Sequence, residues 1–98
     1  MATGQPITVR VLTREGLALE DQALAVRAPG GLGSLGVLRH HAPLVTTIVP
    51  GKFSWRRPDG ATRMLLIGAG LLEVAHNRLT LFTDTITEPQ QVNAAAPS

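Results

Sequence analysis

The chain of 98 residues contains no cysteine and only three aromatic residues, Phe53, Trp55 and Phe82. Without cysteine there can be no disulfide framework, no iron–sulfur cluster and no zinc site built on thiolates. The length predicts a single domain. Because aromatic rings are so few, we expect its core to be built from Leu, Val, Ile and Ala side chains.

Charge is also limited, and no long apolar run is present. Nine Lys and Arg residues stand against seven Asp and Glu residues, a net charge of +2. Arg56-Arg57 is the only adjacent basic pair, so the sequence does not predict a nucleic-acid-binding surface. The first ten residues hold no apolar segment typical of a signal peptide, and no window approaches the roughly 20 apolar residues that span a bilayer. These patterns favour a protein that is soluble, or peripheral to something that is not.

Short segments with alternating or β-branched apolar residues recur along the chain and predict β-strands. In residues 6–12, the apolar residues from Ile7 to Val11 alternate with polar ones, which is the period of a half-buried strand. Further strands are predicted at 44–49, 52–57, 61–67, 71–75 and 78–83. Turn residues separate them, most clearly Pro58-Asp59-Gly60 and His76-Asn77. This spacing is typical of a sandwich or barrel.

Residues 17–28 carry conflicting signals. Their Leu, Ala and Glu content favours a helix by intrinsic propensity, whereas the alternation of Leu24, Val26 and Ala28 favours a strand. Composition alone predicts a helix here. After about residue 88 the apolar pattern ends, and the last residues, EPQQVNAAAPS, are expected to form a mobile tail.

The spacing Gly31-x-Gly33-x-x-Gly36 matches the dinucleotide-binding fingerprint. That motif needs a helix that begins at its last glycine, so that the helix N-terminus faces the pyrophosphate. Here Pro43 follows closely and disfavours helical geometry, and no acidic residue stands about twenty positions further along. The glycines therefore predict bends and bulges between short strands, and not a nucleotide site.

No residue pattern predicts a catalytic or metal site. Adjacent strand residues such as His40 and His41 point to opposite faces and rarely bind one metal ion. Ser34 and Ser54 do not stand in a Gly-x-Ser-x-Gly elbow, and the seven carboxylates show no spacing typical of an acid–base pair. The chain by itself is therefore not expected to be an enzyme, and neither a cofactor nor a metal is expected.

Three segments together resemble one known family. The first is GSLGVLRHHAPLVTTIVPG at residues 33–51, which is similar to that family's pattern Gly-Glu-Leu-Gly-x-x-Pro-Gly-His-Ala-Pro-Leu-x-Thr-x-x-x-Pro-Gly. The second is IGAGLLEVAHNRLTLFTDT at residues 67–85, which is similar to its Ser-Gly-Gly-x-Leu-Glu-Val-x-x-Asn-x-Val-Thr-x-x-x-Asp-Thr. The third is PITVRVLTREG at residues 6–16, which resembles its opening strand and turn. The family is the epsilon subunit of bacterial and chloroplast F-type ATP synthase, and the resemblance runs from residue 6 to about residue 86.

The resemblance implies an all-β fold, a flattened β-sandwich of about ten short strands in two sheets that occupies residues 1–87. It implies that residues 17–28 form two strands, against the prediction from composition. The family's second domain is a helical hairpin that can inhibit ATP hydrolysis and in some members binds ATP. A flexible tail is expected at residues 88–98 in its place, so neither activity is expected of this chain.

The resemblance also implies a role and partners. The family's sandwich is a non-catalytic part of the rotating central stalk, linking the gamma subunit to the membrane c-ring and supporting the coupling of ion transport to ATP synthesis. Its location is the cytoplasmic face of the bacterial inner membrane, peripheral and within the complex. No nucleic acid, cofactor or small-molecule substrate is implied.

The same match suggests interface residues. Residues 33–43 are expected to form a compact loop and strand edge at one end of the sandwich. The c-ring-facing candidates are Ser34, Arg39, His40 and His41. The family often has Glu where Ser34 stands, and Pro-Gly where Arg39-His40 stands, so this segment is more positive than is usual. The gamma-facing candidates are Thr13, Pro43 and Thr46.

Two other functions are consistent with parts of the sequence. A free-standing β-sandwich binding module would recognise a peptide or glycan through the same loop, and it would be expected to expose aromatic residues, of which only Trp55 is available. A small β-barrel enzyme would use His40 or His41, and it would need a carboxylate partner that the sequence does not supply nearby. Co-purification with gamma separates the stalk subunit from both.

Overall fold

The structure, a computed structural model, describes residues 5–88, and every regular element in that range is a β-strand. The strands are β1 (Ile7–Thr13), β2 (Gly16–Ala23), β3 (Ala25–Gly30), β4 (Gly33–Leu38), β5 (Leu44–Ile48), β6 (Gly51–Arg56), β7 (Thr62–Ile67), β8 (Gly70–Ala75), β9 (Arg78–Thr83) and β10 (Ile86–Thr87). The all-β prediction is confirmed. Most of the tail predicted at 88–98 lies outside the described residues.

The strands form one curled sheet that closes into two layers. Hydrogen bonding gives the order β10-β7-β6-β3-β5-β8-β9-β1-β2, with β4 paired to the other side of β3. Between β3 and β5 there is a single register pair, Gly30 with Ile48, and the sheet turns there from one layer into the next. The first layer contains β3, β4, β6, β7 and β10, and the second contains β1, β2, β5, β8 and β9. The predicted sandwich is therefore confirmed, with its two sheets joined at one corner.

One cluster of buried side chains fills the space between the layers. On β1, the alternate residues Ile7, Val9 and Val11 are buried, as the sequence pattern predicts. The two largest buried side chains are Trp55 and Phe53 on β6, whose ring centroids lie 5.6 Å apart. Each fully buried side chain of this size stabilises the fold by about 1.5–3 kcal/mol, so the aliphatic core and this aromatic pair hold the layers together.

The helix predicted from composition at 17–28 is wrong, and the two strands implied by the resemblance are correct. β2 pairs with β1 in an antiparallel hairpin, and β3 pairs with both β4 and β6. Intrinsic propensity differs by only tenths of a kcal/mol for most residues and is overridden by tertiary pairing. Val26 and Ala28 are buried on alternate positions of β3, so the alternation was the more informative signal.

A polar group ties the two layers together beside the apolar core. Asp21 lies on the core-facing side of β2, and only 10% of its side chain is exposed. Its Oδ2 accepts a hydrogen bond from Nε1 of Trp55 at 2.9 Å, and the same oxygen accepts one from Arg57 at 2.6 Å. The guanidinium of Arg63 lies 3.8 Å from the carboxylate and 5.4 Å from the centroid of the Trp55 ring. We call Asp21, Trp55, Arg57 and Arg63 the interlayer tie.

The charge of Asp21 is stabilised inside this tie. Burial alone would raise its pKa, but hydrogen bonds from Trp55, from the backbone N–H of Gln22 and from Arg57 outweigh that effect. The net result is a pKa below the ordinary value for Asp. The carboxylate is therefore ionised and fully paired at neutral pH, which is typical of a structural group and not of a catalytic acid.

The sandwich has two ends that differ in their connections. The loop end carries the residue 39–43 connection and the turn at His76-Asn77, which are joined by a hydrogen bond from the His40 backbone N–H to Oδ1 of Asn77 at 2.8 Å. Both turn residues adopt positive φ, at 53° and 59°, as a two-residue hairpin requires. The hairpin end carries the β3–β4 turn at 31–32 and the β1–β2 turn. The predicted turn at His76-Asn77 is thus confirmed.

Candidate interaction surfaces

The β3–β4 hairpin contains the glycine motif, and no helix follows it. Gly33 has a φ of 127°, a conformation that favours glycine, and Gly36 lies within β4. At Gly31, an added Cβ would lie 2.8 Å from Oγ1 of Thr47, so a side chain there would collide with β5. The predicted bend is found at Gly31 and Gly33, whereas Gly36 lies in an unbroken register of β4 with β3 and forms no bulge. The helix N-terminus that a pyrophosphate site requires does not follow the motif.

The four c-ring-facing candidates do not lie together. Ser34 is near the start of β4 at the hairpin end, while Arg39, His40 and His41 follow the last residue of β4 at the loop end. From Ser34 to Leu38 the strand advances about 13 Å. The expectation that residues 33–43 form a compact loop and strand edge at one end of the sandwich holds only in part. β4 is an edge strand that pairs with β3 alone, but it runs from the hairpin end to the loop end, so these residues do not lie together at one end.

At the loop end, hydrogen bonds hold the backbone, the side chains of Arg39 and His40 are exposed, and that of His41 is half-buried. His40 has a φ of 61°, and its backbone N–H is bound by Asn77 as described above. The His41 backbone N–H donates to the Leu38 carbonyl at 3.2 Å, and its Nδ1 donates to the Ala42 carbonyl at 2.7 Å. In the range 5–88, no three His, Cys, Asp or Glu side chains are grouped so that they could hold a metal ion. The loop could therefore contact a partner through the polar side chains of Arg39, His40 and His41.

The three gamma-facing candidates are also dispersed. Thr13 ends β1 at the hairpin end, and its Oγ1 accepts a hydrogen bond from the Glu15 backbone N–H at 3.2 Å. Pro43 is exposed at the loop end. Thr46 lies on the side of β5 that carries the buried Ile48, so it faces the core. Thr13 borders an apolar depression, whose lining includes Leu71 and Phe82.

An apolar row crosses the outer face of the second layer. Register pairs join Leu17 to Leu12, Leu12 to Phe82 and Phe82 to Leu71, across β2, β1, β9 and β8. Leu17, Phe82 and Leu71 are each exposed by between 41% and 50%, and Leu12 is half-buried. We call Leu12, Leu17, Leu71 and Phe82 the apolar row. Contiguous exposed apolar residues of this kind mark docking surfaces.

Sequence reasoning missed the apolar row, although a signal for it was present. In the predicted strands 71–75 and 78–83, the buried alternation runs through Leu72, Val74, Leu79 and Leu81. The same alternation leaves Leu71 and Phe82 facing outward. What the sequence could not show was that these two residues become neighbours of Leu12, because that depends on the parallel pairing of β1 with β9.

The remaining outward positions of the second layer carry balanced charge. Arg10 pairs in register with Glu20 on one side and Thr80 on the other, and Thr80 pairs with Glu73. Arg10 therefore lies between Glu20 and, one strand beyond Thr80, Glu73, so charges of both signs stand beside the apolar row. Along residues 5–88 there is no helix with the length and hydrophobicity needed to cross a bilayer.

Comparison with known proteins identifies the family. The family model described as ATP synthase, Delta/Epsilon chain, beta-sandwich domain, matches residues 6–89. The chain is 34% identical over 86 residues to the ATP synthase epsilon chain of Desulfitobacterium hafniense strain DSM 10664 / DCB-2, which covers 88% of this chain and 64% of the relative. It is 38% identical over 79 residues to the ATP synthase epsilon chain of Verminephrobacter eiseniae strain EF01-2, covering 81% of this chain and 57% of the relative. The chain thus spans less than two thirds of the length of these relatives.

Solved structures contain the same fold. One is a chain in the cryo-EM structure of Euglena gracilis mitochondrial ATP synthase, OSCP/F1/c-ring in rotational state 1, with a TM-score of 0.82 at 18% identity, covering 90% of this chain and 56% of that one. Another is a chain in the cryo-EM structure of the Tetrahymena thermophila mitochondrial ATP synthase central stalk and c-ring, with a TM-score of 0.71 at 16% identity, covering 95% and 74%. Together with the match over residues 6–89, the sandwich fold shows that this chain belongs to the family of ATP synthase delta/epsilon chain β-sandwich domains.

Proposed function

We propose that this chain is a non-catalytic subunit of the rotating central stalk of an F-type ATP synthase. It connects the gamma subunit to the membrane c-ring at the cytoplasmic face of a bacterial inner membrane, and it supports the coupling of ion transport to ATP synthesis. The family match supports this proposal, and so do the names of bacterial relatives, which are ATP synthase epsilon chains. The family match also favours it over a free-standing binding module.

The apolar row is the observation that carries the proposed contact with gamma. Its residues lie in one line across four strands, and Thr13 borders the same depression. Stable subunit interfaces have an apolar centre with a polar rim, and the charged residues of both signs beside the row supply such a rim. Under this proposal gamma contacts the row and Thr13, while Pro43 and Thr46 lie outside the centre of the contact.

The proposed contact with the c-ring uses the hairpin end. Leu32 at the tip of the β3–β4 hairpin is 106% exposed, the most exposed large apolar residue described, and Ser34 lies two residues further on. Arg39, His40 and His41 lie at the opposite end, so they contact the same ring only if the sandwich lies flat along it. A sandwich standing on the hairpin end places its second-layer face alongside gamma.

Rigidity is what such a coupling element requires. A packed sandwich has few soft internal degrees of freedom, because its interior is close-packed. The interlayer tie adds a link between β2 and the β6–β7 hairpin. A force applied to the apolar row would therefore reach the hairpin end without being absorbed by sliding of the layers.

The test measures ATP synthesis in membrane vesicles that contain the assembled complex. Leu32→Asp is expected to lower ion-coupled synthesis by more than half, whereas Arg39→Glu combined with His41→Glu is expected to leave it nearly unchanged. The reverse result would assign the ring contact to the loop end. If both variants assemble normally and neither changes coupling, the proposed bridge to the c-ring is refuted.

A further inference from the structure

The outward positions of the first layer carry positive charge only. They belong to β3, β4, β6 and β7, and we call this surface the cationic face. Its charged residues are Arg27, Lys52 and Arg56, all exposed, and no Asp or Glu occupies an outward position on these four strands. This differs from the second layer, where Arg10 and Glu20 stand opposite each other.

None of the three cations has a carboxylate partner within the described part of the chain. The side chain of Arg27 contacts Oγ of Ser34 at 3.3 Å, which is a neutral acceptor. The carboxylates of Asp21 and Glu88 instead pair with Arg57 and Arg63, which do not belong to the cationic face. Exposed like charges on neighbouring strands repel each other weakly through the solvent, so an anionic partner would relieve a repulsion already present in the fold.

The strand register fixes the spacing of these charges. Arg27 stands opposite Ser54, so Lys52 and Arg56 occupy the two positions diagonal to it. Diagonal neighbours in a sheet lie about 7–8 Å apart. Lys52 and Arg56 are four residues apart on the same strand, which corresponds to about 13 Å. The three cations therefore form a zigzag that runs along the strands.

The surface between the cations is an open trough lined by small residues and by apolar side chains such as Leu38 and Met64. Two adjoining depressions, of about 420 and 620 Å³, share Arg27, Ser54 and Thr62 in their linings. Ala25, Gly36 and Ser54 leave space for an approaching main chain. A flat bilayer surface would meet the cation tips without filling such a trough, whereas an extended polypeptide fits along it.

We infer that the cationic face binds an acidic, extended segment of a partner protein, with carboxylates at alternate positions. In an extended chain, residues at i, i+2 and i+4 point the same way and lie about 6.6 Å and 13 Å apart. That spacing matches the step from Arg56 to Arg27 to Lys52. This surface is distinct from the apolar row proposed for gamma, because it lies on the opposite outer face.

The test uses two fluorescein-labelled peptides of identical composition, ETETETETE and EETTETTEE, with the full chain and anisotropy as the readout. In the second peptide no two glutamates are two residues apart. We expect the first to bind about tenfold more tightly, with affinity that falls steeply as salt rises. Combining Arg27→Gln, Lys52→Gln and Arg56→Gln should abolish that preference. The matched triple variant Arg10→Gln, Arg14→Gln and Arg78→Gln, with the same change in net charge, should keep it.

Other outcomes overturn the inference. These are equal binding of the two peptides, an equal loss in both triple variants, or no peptide binding up to millimolar concentration. Binding only to phosphatidylserine vesicles or to inorganic triphosphate would instead identify a lipid surface or a free anion as the occupant. Thermal unfolding of each variant, followed by circular dichroism, separates lost binding from lost folding. A negative result leaves the proposed role in the stalk untouched, since that role is tested through gamma and the c-ring.

Discussion

The two outer faces of the sandwich share one core and one pattern of alternation, yet they differ in what they offer a partner. The second-layer face combines the apolar row with paired charges such as Arg10 and Glu20. The cationic face has three cations without carboxylate partners, set among small residues and exposed apolar side chains such as Leu38 and Leu66. Apolar centres favour lasting contacts, whereas like-charged surfaces give contacts that depend on salt. The residues at outward strand positions contribute little to folding. They nevertheless determine what each face can bind.

The largest expected effect comes from placing a charge on each face in turn. Leu71 and Leu66 are both 41% exposed, on the second-layer and first-layer faces respectively. Leu71→Glu should weaken binding to purified gamma about 30-fold, equivalent to about 2 kcal/mol, because a charge replaces part of the apolar centre. Leu66→Glu should change the affinity less than twofold. Equal effects in a calorimetric titration would show that gamma does not distinguish the faces.

The next largest effect is a loss of stability when the interlayer tie is weakened. Asp21→Asn removes a mostly buried charge from Trp55 and Arg57, and it should lower the free energy of unfolding by about 1–3 kcal/mol. Asp59→Asn, at an exposed carboxylate that also approaches Arg57, should cost less than about 0.5 kcal/mol. Urea unfolding measures both. If the two variants unfold at the same urea concentration, the interlayer tie does not stabilise the fold.

The same carboxylate predicts a dependence of stability on pH. The pKa of Asp21 is lower in the folded chain than the ordinary value of about 3.9. Its stabilising effect is therefore complete above that value and is lost as the pH falls through the folded pKa. Between about pH 5 and pH 3 the wild-type chain should lose more stability than Asp21→Asn. Parallel pH profiles from urea unfolding would contradict this assignment.

The smallest expected effect is a change in the free energy of unfolding that has opposite signs for charge removal on the two faces. Arg56→Gln removes one of the unpaired cations of the cationic face and should raise stability by about 0.2–0.5 kcal/mol at low salt. Arg10→Gln removes the cross-strand partner of Glu20 and should lower it by a similar amount, about 0.2–0.5 kcal/mol. Both shifts should shrink at high salt. Shifts of the same sign in thermal unfolding would show that the charges on the two faces are not organised differently.

Much of the fold was predictable because alternation and turn residues are local signals. The buried residues of β1, β6, β8 and β9 follow the period of two, and Pro58-Asp59-Gly60 forms the turn before β7, with Gly60 at a φ of 94°. The region 17–28 was ambiguous because its composition favours a helix, while its pairing with β1 and β6 is decided by distant strands.

The candidate surfaces were less predictable, because they depend on which strands become neighbours. Ser34 and His41 are close in sequence but lie at opposite ends of β4. Leu71 and Leu12 are far apart in sequence but lie in one row, since β9 joins them. The inward orientation of Thr46, in contrast, could have been predicted from the alternation on β5, because Ile48 two residues later is buried.

The most direct test of the central claim, that gamma binds the second-layer face, uses the absence of cysteine from the chain. Phe82→Cys and Met64→Cys place single thiols on the second-layer face and the cationic face. Their rates of reaction with a maleimide are measured with and without bound gamma. The account predicts at least about tenfold protection of Cys at position 82 and none at position 64, because an apolar interface excludes water and reagents. Protection at position 64 alone, or at neither position in a complex shown to form, would contradict it.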